Sequence, residues 1–105
     1  MSLPKNRLTA VFNTLTVKKG DMFEIELLAI PGAGYLWEPT VLSGQAQLVK
    51  QEYIDEDTGI CGGVLTQRFT FRADHDGDIQ IRTDYRRPWE SCPPAETHVF
   101  QIKVG

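Results

Sequence analysis

Met22-Phe-Glu-Ile-Glu-Leu-Leu28 sets Phe23, Ile25 and Leu27 on one side of the chain and Glu24 and Glu26 on the other. That period of two predicts a strand with one buried face. Residues 67–73 alternate in the same way, with Phe69 and Phe71 inward. Ile79 and Ile81 alternate with Gln80 and Arg82, and Phe100, Ile102 and Val104 alternate with Gln101 and Lys103. Fainter patterns place strands at residues 8–12, 15–18, 36–41 and 46–53. Turn signals separate these runs at Lys19-Gly20-Asp21, Ser43-Gly44 and Asp76-Gly77-Asp78, and the strands flanking Asp76-Gly77 read as a hairpin. No long window carries an apolar stripe at helical spacing. The pattern predicts an all-β fold, an immunoglobulin-like antiparallel β-sandwich of about seven or eight strands.

Three connections carry more than turn chemistry. The first is Ile30-Pro-Gly-Ala-Gly-Tyr35, the second spans residues 55–66 around Cys61-Gly62-Gly63, and the third is Tyr85-Arg-Arg-Pro-Trp-Glu-Ser-Cys-Pro-Pro94. Pro88, Pro93 and Pro94 exclude a regular helix or a central strand from the third, because proline lacks the N–H donor. It is therefore a loop, and one that carries a tryptophan between cations and prolines. Counted along the chain, the three are connections two, four and six. In an up-and-down pairing, alternate connections emerge at one end, so all three are expected on one rim.

Composition narrows the classes of function. The 105 residues predict a single domain over 1–105, and the 41% hydrophobic and 24% charged content fits a globular chain. A net charge of −3 argues against a nucleic-acid partner, since phosphate binding needs a basic face. No apolar run approaches the roughly 20 residues of a membrane span. Met1-Ser-Leu-Pro-Lys5 shows no apolar leader segment. The expected location is periplasmic or secreted if a leader has been removed, and cytoplasmic otherwise.

Reactive constellations are missing. His75 and His98 fall in no nucleophile motif, and nothing in the spacing of Cys61 or Cys92 singles out a thiol nucleophile. Asp74-His-Asp-Gly-Asp78 invites a calcium loop, but its glycine and its closing residue are misplaced for one, so an acidic turn is the better reading. Asp55-Glu-Asp57 reads as a solvated loop. Gly62-Gly63 lacks the lysine and hydroxyl residue that a phosphate loop needs. The expectation is a protein that is not an enzyme and holds no cofactor or metal.

With the three loops placed in order, the chain resembles the chagasin-like inhibitors of papain-family cysteine peptidases. That family carries an Asn-Pro-Thr-Thr-Gly-Tyr/Phe-x-Trp loop, a Gly-Gly-x-Gly loop and an Arg-Pro-Trp loop. Here the first becomes Ile30-Pro31-Gly32-Ala33-Gly34-Tyr35-Leu36-Trp37, which keeps the proline, the later glycine, the aromatic and the tryptophan but loses the asparagine and both threonines. The second becomes Gly62-Gly63-Val64-Leu65, with Leu65 in place of the last glycine. The third, Arg87-Pro88-Trp89, matches throughout.

The resemblance implies a reversible, non-covalent inhibitor of papain-like cysteine peptidases that blocks the active-site cleft with three loops. The implied contacts are Pro31, Gly32, Ala33, Gly34 and Tyr35 in the first loop. Cys61, Gly62, Gly63, Val64 and Leu65 serve the second, and Arg87, Pro88 and Trp89 the third. Trp89 is the expected anchor, with Pro88 stiffening its approach. Arg87 pairs with an acid on the target or stacks on the indole, while Arg86 and Glu90 fall at the rim. Trp37 is expected in the core, and Tyr35 either beneath the first loop or on the rim. Cys61 and Cys92 either form a disulfide bracing the second and third loops or remain free thiols; the first loop lying between them favours free thiols. The implied partner is a papain-family peptidase, the organism's own or a host's, bound by a monomer. The alternative is a non-inhibitory immunoglobulin-like protein-binding module of the adhesion or surface-interaction type.

Overall fold

The computed structural model describes residues 6–30, 34–55 and 65–105, which form eight strands in two four-stranded sheets. The strands are β1 (Arg7–Leu8), β2 (Thr14–Val17), β3 (Met22–Ala29), β4 (Leu36–Ser43), β5 (Ala46–Asp55), β6 (Leu65–Ala73), β7 (Gly77–Arg86) and β8 (Glu96–Val104). One sheet runs β1-β3-β6-β5 and the other β2-β8-β7-β4. This is an immunoglobulin-like sandwich, and no helix occurs among the described residues.

Alternation builds the core as expected. Phe23, Ile25, Leu27 and Ala29 of β3 face Ile79 and Ile81 of β7 and Phe100, Ile102 and Val104 of β8 across the sandwich, and all are buried. Phe69, Phe71 and Ala73 of β6 extend the same inner face. Phe23 and Phe71 are direct cross-strand partners with ring centroids 5.6 Å apart. Each such large apolar side chain contributes roughly 1.5–3 kcal/mol by leaving water. On the outer face Glu24 and Glu26 meet Arg7 and Arg68, the Arg68 Nε reaching the Glu26 carboxylate at 2.6 Å. That hydrogen bond raises the Arg68 pKa further, against the opposing effect of burial.

The pairing differs from an up-and-down order. β3 pairs with β6, not with β4, and the chain crosses between sheets at every connection except β5–β6 and β7–β8. The expected hairpin at Asp76-Gly77 is therefore a crossover: β6 already has β3 and β5 on its two edges, which leaves no edge for β7. The hairpins are instead β5–β6 and β7–β8. The β4–β5 crossover turns at Gly44, whose φ is +81° and whose missing Cβ would collide with the Asp78 carbonyl oxygen, so only glycine fits. The strand expected at residues 8–12 shrinks to Arg7–Leu8, because the Thr9 hydroxyl captures the next backbone N–H groups and turns the chain. Both outer strands β4 and β5 carry a register shift, between Val41 and Ser43 and between Leu48 and Lys50, which interrupts an otherwise open edge.

Candidate functional site

Register places the three long connections at one end. Ala29 and Asp55 both lie opposite Leu65, so β3 and β5 end where β6 begins. In the other sheet Leu36 lies opposite Arg86, and Tyr85 opposite Glu96, so β4 and β8 begin where β7 ends. The connections are the third, fifth and seventh of the chain rather than the second, fourth and sixth. The second and third are hairpin connections within one sheet each, and only the first, between β3 and β4, crosses from one sheet to the other. Pro31, Gly32 and Ala33 of the first loop, and Cys61, Gly62, Gly63 and Val64 of the second, lie outside the described residues. Leu65 is the first residue of β6 and packs half-buried against the core.

The third loop is a turn at its tip. The Glu90 N–H donates to the Arg87 carbonyl at 3.0 Å, which puts Pro88 and Trp89 at the two central positions. Proline's fixed φ suits the first of these, and no non-glycine residue described has a positive φ, so the turn is of the type I class. The Arg86 guanidinium donates to the Glu90 carbonyl at 2.6 Å, and the Ala95 N–H closes the loop onto the Tyr85 carbonyl at 2.8 Å. Trp89 stands at the tip with 71% of its surface exposed.

The Trp89 indole also reaches the first loop. A Cβ at Gly34 would sit 2.6 Å from the indole Cη2, and Gly34 holds φ at +84°. The backbone conformation therefore favours glycine there, and any side chain would also displace the exposed indole. Tyr35 is half-buried beneath this contact, its ring 5.3 Å from that of Tyr85. The Arg87 guanidinium lies 4.7 Å over the Tyr35 ring and pairs with Glu90 at 3.4 Å. Arg87 thus stacks its guanidinium on the tyrosine of the first loop, while its stem, like the indole, packs beside Gly34. Arg86 and Glu90 are partly buried members of the turn rather than free rim groups: Arg86 also approaches Glu38 at 3.7 Å. Cys92 is exposed with a free thiol, and Cys61 is outside the described residues.

The roots of the loops are fixed by aromatic side chains that stand in for a missing strand. The Glu24 N–H donates to the Asn6 carbonyl, so even-numbered residues of β3 turn their backbone groups toward the β1 edge. β1 stops at Leu8, opposite Ile25. Past that point the Trp37 indole N–H donates to the Leu28 carbonyl at 2.9 Å, and the Ile30 N–H donates to the Tyr85 phenol oxygen at 3.0 Å. Trp37 and Tyr85 are themselves cross-strand partners, stacked with centroids 4.6 Å apart. Trp37 is buried, as expected, and its backbone N–H donates to the fully buried Gln67 amide oxygen at 2.8 Å while the Gln67 NH₂ donates back to its carbonyl. Gln67 and Tyr85 went unassigned in the sequence, yet each had a signal. Gln67 shares the inward parity of Phe69 and Phe71, and Tyr85 that of Ile79 and Ile81.

A sandwich that buries both inner faces and gathers three connections at one rim has the architecture of a loop-presenting, immunoglobulin-like protein. Residues 16–104 match the model of the chagasin family of peptidase inhibitors, I42. The chain belongs to that family. Amoebiasin-1 of Entamoeba histolytica is 32% identical over 92 residues, covering 88% of each chain. The crystal structure of the cysteine protease inhibitor EhICP2 from Entamoeba histolytica superposes with a TM-score of 0.83 over 95% of both chains at 21% identity. PbICP-C, solved in complex with falcipain-2, aligns with a TM-score of 0.63 and 19% identity, covering 100% of this chain and 94% of that one. Its family consists of peptidase inhibitors, not enzymes.

Proposed function

We propose that this chain inhibits papain-family cysteine peptidases reversibly, by seating its three rim loops in the active-site cleft. The observation that carries the reading is the packing of Trp89 on Gly34, which brings the third loop against the end of the first. A thin loop with Pro31, Gly32 and Gly34 enters a narrow cleft and covers the catalytic thiol without offering a peptide bond in a cleavable register. Trp89 is the anchor, since tryptophan and arginine dominate binding energy at protein interfaces. Arg87 orients the wedge by holding Tyr35. Gly62 and Gly63 lay bare backbone along the cleft for strand-like hydrogen bonding. The third loop is held by its own turn and by Gly34 and Tyr35 in the free chain, which lowers the ordering entropy that its association costs.

Family membership and the solved complex of the structural neighbour PbICP-C with falcipain-2 support this reading. Titration of papain with the protein tests it: activity falls to near zero as the molar ratio passes one. Full papain activity at large molar excess, together with full activity of a cathepsin-type peptidase, overturns it.

A further inference from the structure

The connection between β1 and β2 is a turn that holds itself. The Thr9 hydroxyl accepts the N–H groups of Val11 and Phe12 at 3.3 and 3.2 Å, and the Thr9 N–H donates to the Phe12 carbonyl at 2.9 Å. This closed turn presents Val11 and Phe12 to solvent, 83% and 72% exposed. Beside it, at the rim end of β3, Leu28 and Ile30 are 64% and 52% exposed. Val11, Leu28 and Ile30 line one groove of about 640 Å³, with Trp37, Tyr85 and His98 also in its wall. Large apolar side chains gathered on one surface mark a protein contact.

Two features say what occupies it. The groove is continuous with the rim, because Ile30 belongs to both the groove and the first loop, and its N–H is tied to Tyr85 at the base of the third. A wedge seated in a cleft has flanks that face the cleft walls, and this is the flank beneath the first loop. Its polar groups are also engaged within the chain: Glu26, which borders the groove, is ion-paired with Arg68 and Arg7, and the Glu96 carboxylate is hydrogen-bonded to the His98 ring at 2.6 Å. What the surface offers a partner is apolar area on a pre-ordered turn.

We propose that the groove residues Val11, Leu28 and Ile30, with Phe12 next to Val11 on the exposed turn, form a fourth contact surface, which docks on an apolar wall of the same peptidase cleft that receives the three loops. The proposal rests on the inhibitory reading above. It extends the interface from the tip of the wedge to one side and makes that side a determinant of which peptidases are bound tightly.

The test compares inhibition constants of the parent, Val11→Asp/Leu28→Asp, Phe12→Ser, Trp89→Ala and Leu42→Asp against papain and a cathepsin L-type peptidase. Leu42 is an exposed apolar residue at the other end of the sandwich. Loss of about tenfold or more in affinity with Val11→Asp/Leu28→Asp and with Phe12→Ser, at unchanged melting temperature and with Leu42→Asp equal to parent, supports the proposal. If parent inhibits and Trp89→Ala weakens it, while the flank variants match parent on both peptidases, the flank is not a contact and the three-loop reading stands. If parent inhibits neither enzyme, both fall. Sedimentation of the free proteins covers the remaining occupant: a parent dimer that Val11→Asp/Leu28→Asp dissociates without loss of inhibition assigns the flank to a second copy and overturns the proposal.

Discussion

The phenol oxygen of Tyr85 accepts the Ile30 N–H at 3.0 Å, so the last turn of β7 holds the root of the first loop. The same tyrosine stacks on Trp37 and lies against Tyr35, and its own carbonyl closes the third loop through Ala95. One residue therefore sets the relative pitch of two of the three loops.

Replacing Tyr85 by Phe keeps the ring stacking and removes the acceptor. A hydrogen bond of this kind contributes roughly 0.5–1.5 kcal/mol. The expected result is a fold preserved by circular dichroism, with inhibition of papain weakened through a faster off-rate. An unchanged off-rate would mean that Ile30 is held adequately without Tyr85.

Gly34→Ala meets two obstacles at once, the left-handed backbone and the indole edge. The backbone alone costs roughly 1–2 kcal/mol for an L-residue. Trp89 must then move, which shifts indole fluorescence and lowers affinity for the peptidase. Fluorescence and inhibition both indistinguishable from the parent would show that the Gly34–Trp89 contact is dispensable.

Trp89→Ala removes the exposed anchor without touching the core. Affinity is expected to fall by about 2 kcal/mol or more, with melting temperature unchanged because the side chain lies 71% in solvent. Inhibition assays and thermal unfolding on the same preparation check the two halves separately.

Gln67→Leu acts in the opposite sense. It strands the Trp37 backbone N–H and carbonyl in the interior, where each unmet group costs roughly 1–3 kcal/mol. Urea unfolding should show a loss of about 2 kcal/mol or more with a similar slope. A midpoint equal to the parent's would mean that water reaches this bridge.

Cys92 should react with a maleimide in the native protein, since its thiol is free and exposed. Peptide mass mapping after labelling reads this directly. Failure to label without reductant, with recovery after reduction, would indicate a disulfide instead.

How much of this was legible depended on the range of the interaction. The inward sets of β3, β6, β7 and β8 followed from local alternation, which survives any change of partner. Trp37 was placed in the core correctly, and the three loops were identified by their prolines, glycines and tryptophan. The strand at residues 8–12 was misjudged because the apolar pattern there competes with a Thr9 turn that side-chain chemistry decides. For Arg87 the sequence offers an acid on the target or the neighbouring indole, and the Tyr35 ring it lies over is visible only in the fold, because the two are 52 positions apart.

What the amino-acid sequence by itself determined was the strongly alternating strands β3, β6, β7 and β8, the faces they bury, and which connections carry too much proline, glycine and tryptophan to be mere linkers. Alternation and turn chemistry act within a few residues, so they can be read in order. Only the tertiary structure decided that β3 pairs with β6, that Asp76-Gly77 crosses between sheets, and that Gly34 lies under Trp89. Those outcomes depend on which strand edges are left free once the two sheets have assembled. Residues fifty or more positions apart meet only as a result, as Ile30 and Tyr85 do.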